Sequence, residues 1–253
     1  MIDFIKHHAA IAGTICLKHQ DLLSSGDIQL KSPKDLVTVV DRAVEDYLVE
    51  QILQKYPDHD IIREEGEDIL SGNSHCWIID PVDGTTSYAY GQPFYSISIA
   101  LKEDGELVAG VVYAPALGQL FHAARRHGAF LNDKPIAVSD CSILSESVLG
   151  TGFACLRSGH AHNNLKYLNR LLPNIRDVRR CGSAALDMAY VAAGKYDGFW
   201  ELNLNLYDIS AGVLLVEEAG GTICDFQGGQ QMPEKGIVAT NGKITRELLS
   251  YLE

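Results

Sequence analysis

The chain is predicted to be α/β (α+β), with an antiparallel sheet in its first half and a smaller α/β second half. Three observations carry this. Two N-terminal stretches place apolar residues at helical spacing. Residues 94–102 alternate apolar and polar side chains over a strand length, and further short apolar runs follow between turn residues. Beyond about residue 145, strand and helix patterns take turns.

Residues 2–24 read as a helix with Phe4, Ile5, Ala9, Ala12 and Ile15 or Cys16 on one face. A Lys- and Pro-containing loop, residues 30–36, leads to a second helix at about 38–55 with an apolar stripe of Val40, Val44, Tyr47, Leu48 and Ile52. Short strands are expected at 60–63 and 76–80, and Pro81 is expected to stop the second of them. The 94–102 strand sets Tyr95, Ile97, Ile99 and Leu101 against Ser96 and Ser98, and segments 107–113, 119–124 and 128–131 extend it into an antiparallel meander. Strands at 147–151, 177–181, 197–201, 222–226 and 236–240 then alternate with helices at 162–171, 183–193, 208–219 and 242–251. The join falls near 140–146, which divides the chain into residues 1–142 and 143–253.

At 253 residues the chain can bury a sizeable core, and 46% hydrophobic with 21% charged residues is ordinary for a soluble globular protein. A formal charge of −12 argues against life on nucleic acid or on an anionic membrane. No apolar run approaches the roughly 20 residues that span a bilayer. Residues 9–15 are too short an apolar patch, without a basic start, to be a targeting signal. The six cysteines (Cys16, Cys76, Cys141, Cys155, Cys181, Cys224) form no Cys-x-x-Cys pair and read as isolated thiols of a reducing compartment, so a cytoplasmic location is expected. His160 and His162 have the spacing of a metal pair but lack a third ligand, and are read as solvated surface.

The most informative stretch is Trp77-Ile-Ile-Asp80-Pro-Val-Asp83-Gly-Thr-Thr-Ser87. Two carboxylates on a rigid turn at a strand's end suit hard cations with oxygen ligands. A glycine followed by hydroxyl residues that open a helix suits an anion, because free backbone N–H groups there point outward. The same segment also fits a surface turn.

With Glu64-Glu65 upstream and Tyr207-Asp208-Ile-Ser-Ala-Gly212 downstream, Asp80-Pro-Val-Asp83-Gly-Thr-Thr86 resembles the inositol monophosphatase family of the magnesium-dependent, lithium-sensitive phosphatase superfamily. Lys31-Ser-Pro-Lys-Asp-Leu-Val-Thr-Val-Val-Asp41 and Arg180-Cys-Gly-Ser-Ala-Ala-Leu-Asp-Met188 extend the likeness over nearly the whole chain. It implies a layered α/β/α/β/α sandwich, a homodimer, and Mg²⁺-dependent hydrolysis of small phosphate monoesters. Two to three ions are implied, with Mn²⁺ as a substitute. Glu64, Asp80 and the Val82 carbonyl would hold the first ion, and Asp80, Asp83 and Asp208 the second. A third, weaker ion would lean on Glu64 and water. Thr85, paired through water with Glu64 or Asp41, would orient the attacking hydroxide. The Gly84 and Thr85 amides and the Thr86 hydroxyl would hold phosphate oxygens. Asp83, Ser183 or Ala184, and Glu201 would face the hydroxyls of a sugar or cyclitol.

Several of these residues also have local readings. Thr38 and Asp41 have the spacing of a capping box, Asp208 and Ser183 that of helix N-caps, and Glu201 that of a rim charge. Ser87, Tyr88 and Tyr207 depart from the family's usual residues, though Tyr88 and Tyr207 keep an aromatic surface. Arg63 stands where a glycine often precedes the paired glutamates, and would compete with the weakest metal or bind a second phosphate. Inositol phosphate leads as the substrate, with fructose 1,6-bisphosphate and histidinol phosphate as rivals. The non-enzymatic alternative is a binding protein of the transcription machinery.

Overall fold

Helix α1 (Ile2–Gln20) buries Ile5, Ala9, Ala12 and Cys16, the stripe expected from the sequence, but it ends at Gln20 rather than at residue 24. The computed structural model describes all residues except Asp21, Ser24, Pro33, Lys34 and Glu234, and only the backbone of Ser25, Lys31, Ser32, Asp35 and Arg157. The expected 30–36 loop is instead a hairpin, β1 (Ile28–Ser32) against β2 (Asp35–Thr38), and its Pro33 and Lys34 lie outside the described residues.

Helix α2 (Val39–Lys55) begins at Thr38, whose hydroxyl accepts from the Val40 and Asp41 amides while Asp41 accepts from the Thr38 amide. That capping box starts the helix abruptly. Its buried face holds Val40, Val44, Leu48 and Ile52, but also Asp41 and Glu45. Strands β3 (Asp60–Arg63) and β4 (His75–Asp83) follow, then the short helix α3 (Thr85–Ala89). Strands β5 (Ser96–Glu103), β6 (Glu106–Ala114), β7 (Gln119–Ala124), β8 (Ala129–Leu131) and β9 (Lys134–Ile136) complete a seven-stranded sheet in chain order. Its first pair is parallel and the others are antiparallel.

Pro81 does not stop β4. Asp80 pairs with Ser98 and Asp83 with Ser96, so Pro81 and Val82 face the single residue Ile97 in a bulge. A proline has no N–H to give a ladder, and a bulge is where a strand tolerates it.

The second half contains β10 (Val148–Thr151), α4 (Ala154–Arg157), α5 (Leu165–Leu171), β11 (Asp177–Arg179), α6 (Ala184–Ala192), β12 (Gly198–Glu201), α7 (Leu206–Glu218), β13 (Thr222–Cys224), β14 (Ile237–Thr240) and α8 (Thr245–Leu249). Its strands form a mixed five-stranded sheet in the order β11-β10-β12-β14-β13. Helices α5 and α8 are shorter than the expected 162–171 and 242–251.

Three apolar clusters stack these parts into the five expected layers. Helices α1 and α2 cover one face of the large sheet through Ile5, Val44, Leu48, Trp77, Ile79 and Ile99. Helices α6 and α7 lie between the two sheets, meeting Ile78 and Val112 on one side and Phe199 and Ala239 on the other. Helices α5 and α8 close the outer face of the small sheet around Tyr167, Leu171, Trp200 and Leu248. Every residue of α6 is buried, as a helix in a middle layer must be. All six cysteines are free thiols, and His162 bonds the Tyr167 hydroxyl at 2.6 Å. Among the described residues no helix is long and apolar enough to cross a membrane.

Candidate active site

The β4 bulge, the N-terminus of α6 and the first turn of α7 meet at one place. Asp80 Oδ1 accepts from the Val82 amide at 3.0 Å, which stiffens the bulge. Asp83 Oδ2 accepts from the Ser183 hydroxyl and the Ala185 amide, each at 2.7 Å. Ser183 is the N-cap of α6 as well, since its hydroxyl accepts from the Leu186 amide. Asp83 is thus held where unpaired helix amides favour a carboxylate. Asp208 is not the N-cap of α7. That position belongs to Asn205, and Asp208 lies three residues on, accepting from the Asn205 amide.

Carboxylate oxygens of Asp80, Asp83 and Asp208 all lie within 4.8 Å of one another. Asp80 and Asp83 are buried and Asp208 partly so. Burial, then Glu64, Asp83 and Asp208, holds Asp80 well above the usual carboxylate range. Burial and then Asp83 do the same to Asp208. Burial raises Asp83 to about 6 against the opposing pull of its Ser183 and Ala185 donors. Buried acids this close repel unless a cation stands among them, and an all-oxygen donor set fits a hard divalent ion such as Mg²⁺ or Mn²⁺.

Glu64 stands beside Asp80, within hydrogen-bonding reach, on the loop that leaves β3. Buried Glu45 of α2 fixes this loop by accepting from the Glu65 amide at 2.8 Å. Arg63 turns into the same loop. Its Nε donates to the Glu67 carbonyl at 2.7 Å, and a guanidinium nitrogen lies 3.8 Å from Glu45. These contacts clamp the loop.

Thr85 Oγ1 lies 3.0 Å from Asp41 Oδ1 and 3.1 Å from the Val82 carbonyl. A hydroxyl has one proton, so the two acceptors share it. The link to Asp41 is direct rather than through the expected water. Asp41 therefore acts as capping-box acid through Oδ2 and as Thr85's partner through Oδ1. Gly84 has φ +95°, and a Cβ there would stand 3.0 Å from the Phe94 carbonyl oxygen, so only glycine turns the chain this way into α3.

Glu64, Asp80, Val82, Asp83, Thr85 and Asp208 line a cavity of about 160 Å³, together with Tyr207 and Asn203. Ser183, Ala184 and Glu201 line a smaller cavity beside it, which also borders Asp83 and Asp208. Glu201 Oε1 accepts from the Ala154 amide at 2.9 Å, and a Cβ on Gly152 would collide with the Glu201 carboxylate. Thr86 is exposed and lines neither cavity. Sequence reasoning missed two acids. Glu45 stands four residues after Asp41 on the buried face of α2, and that spacing is the signal that would have found it. Asp187 interrupts the otherwise apolar α6 and is buried.

A five-layer α/β/α/β/α sandwich with three carboxylates, two buried and one partly so, gathered at a strand bulge and a helix start defines a class of α/β proteins whose acids could hold a metal ion. The chain belongs to the inositol monophosphatase family, whose model matches residues 1–253. It is 44% identical to an inositol-1-monophosphatase of Mesorhizobium japonicum, over 89% of this chain and 86% of that one. It is 41% identical to a Nus factor SuhB of Xylella fastidiosa, over 98% of this chain and 92% of that one. Its fold is similar to that of the extragenic suppressor protein suhB of Bartonella henselae, with a TM-score of 0.93, 38% identity, and coverage of 99% and 97% of the two chains.

Proposed function

We propose that this chain hydrolyses small phosphate monoesters with Mg²⁺, and that its preferred substrate is an inositol monophosphate. The observation that carries the reading is the convergence of Asp80, Asp83 and Asp208 within 4.8 Å of one another, beside the Thr85–Asp41 pair. Glu64, Asp80 and the Val82 carbonyl are assigned to one cation, and Asp80, Asp83 and Asp208 to a second. When bound, the cations neutralise phosphate and leaving-group oxygens and acidify water.

The chain's own residues do the rest. Thr85, held by Asp41 and the Val82 carbonyl, accepts from the attacking water and passes hydrogen-bond polarisation on to buried Asp41. The backbone amides of Gly84 and Thr85 hold phosphate oxygens as α3 begins. Ser183, Ala184 and Glu201 border the departing alcohol. Family membership is the support for lithium inhibition and for a homodimer, which a lithium titration and sedimentation would check.

The test is phosphate release from inositol 1-phosphate, fructose 1,6-bisphosphate, histidinol phosphate and 4-nitrophenyl phosphate, with and without Mg²⁺. Mg²⁺-dependent turnover led by inositol 1-phosphate is expected. Leadership by either rival reassigns the substrate, and no Mg²⁺-dependent release from any of the four overturns the reading.

A further inference from the structure

Asp187 is 1% exposed, and its Oδ1 has no hydrogen-bond partner among the described residues. Leaving a carboxylate oxygen unsatisfied inside a protein is costly, so such a group implies an occupant beside it. Asp187 lines the smaller cavity together with Glu201, Asp83, Ser183 and Arg180. The cavity measures about 30 Å³, which is room for an ordered water. It shares Asp83, Gly182, Leu204 and Asp208 with the larger cavity, so its occupant stands beside the carboxylate cluster, on the side that the proposed function gives to the departing alcohol.

We propose that Asp187 is a specificity-determining residue: with Glu201 it orients one water molecule so that the water accepts a hydrogen bond from a hydroxyl of the departing alcohol. The inference rests on the phosphatase reading. A water between two carboxylates spends both protons on them and keeps its lone pairs for a third partner. The site then recognises a hydroxyl as donor, which a polyol phosphate offers and an aryl phosphate does not. The bystander alternative, that Asp187 only braces α6, is weakened by its geometry. The first-turn dipole of α6 favours the charge of Asp187 but supplies Oδ1 with no donor. The Cys181 thiol, within hydrogen-bonding reach, has one proton and also lies 3.1 Å from the Tyr196 hydroxyl.

The test compares Asp187→Leu, which keeps the branched heavy-atom shape and removes both acceptors, with Asp187→Asn, which keeps one. Wild type and variants are assayed with Mg²⁺ on inositol 1-phosphate and on 4-nitrophenyl phosphate, with thermal unfolding as the folding control. Asp187→Leu is expected to lower kcat/KM for inositol 1-phosphate roughly tenfold or more, while 4-nitrophenyl phosphate changes by less than about threefold. Asp187→Asn is expected to recover most of that loss. If the leucine variant does not fold, Asp187→Ala, which leaves room for water, is read in the same way. Equal losses on both substrates, or no loss on either, overturn the inference and leave the phosphatase reading intact. A wild-type protein inactive on both substrates overturns that reading, and this inference with it.

Discussion

Thr85 Oγ1 stands 3.0 Å from Asp41 Oδ1, a contact that joins the first residue of α3 to the third residue of α2. Asp41 is buried, its other oxygen is already committed to the Thr38 amide, and it has little freedom to turn away. Thr85→Ala is therefore expected to lower kcat by roughly 10²-fold with little change in KM. Steady-state kinetics on inositol 1-phosphate checks this. A large rise in KM at normal kcat would make Thr85 a phosphate clamp instead.

Asp80 is assigned to both cations and sits at the centre of the cluster. Asp80→Asn should abolish turnover at millimolar Mg²⁺ while circular dichroism and thermal unfolding report an intact fold. A folded variant that still turns over would sink the two-cation assignment.

Glu45 lines neither cavity, yet it fixes the Glu64 loop through the Glu65 amide. Groups that orient ligands are worth about 10- to 100-fold in metal affinity. Glu45→Ala should raise the Mg²⁺ concentration for half-maximal activity by about tenfold, with kcat at saturating Mg²⁺ less affected. An unchanged Mg²⁺ dependence would reduce Glu45 to a structural acid.

Glu201 bonds the Ala154 amide through Oε1, and borders the smaller cavity. Glu201→Gln keeps a carbonyl acceptor for that amide but removes charge from the leaving-group side, where a charged hydrogen bond is worth about 1.5–3 kcal/mol. The expected loss in kcat/KM is roughly ten- to a hundredfold for inositol 1-phosphate and small for 4-nitrophenyl phosphate. Equal losses on both would place Glu201 in support of the 152–158 segment alone.

Removing metal should make stability fall as pH rises. Folding raises Asp83 from its ordinary value of 3.8 to about 6, and raises Asp80 and Asp208 in the same direction. For a group raised in the folded state, the stabilisation is present below the unfolded pKa and is lost as pH climbs through the folded one. Protein stripped with a chelator should thus lose Tm between about pH 4 and pH 7, and Mg²⁺ should restore more Tm at the upper end than at the lower. A Mg²⁺ effect independent of pH would show that these carboxylates are not the ones relieved.

Much of the candidate site was legible because its parts are local. A strand running into Asp80, a glycine before α3, and a capping box at Thr38 and Asp41 follow from neighbours a few residues apart. The bulge was not legible, since whether Pro81 ends a strand or bends one depends on the partner strand β5. The contacts of Arg63 were not legible for a similar reason, because Glu45, 3.8 Å from its guanidinium, lies on another element.

Periodicity, capping and turn chemistry act over a few residues, so most helices and strands and the motifs of the family likeness were readable from the sequence, although the β1–β2 hairpin and the full length of β4 were not. Only the tertiary structure decided that Asp208 of α7 joins Asp80 and Asp83 of β4, that Glu201 is tied to Ala154, and that Asp187 is buried with an unmatched oxygen. Those relationships exist because α6 and α7 are squeezed between two sheets, and burial between layers is set by long-range packing that no short window of sequence records.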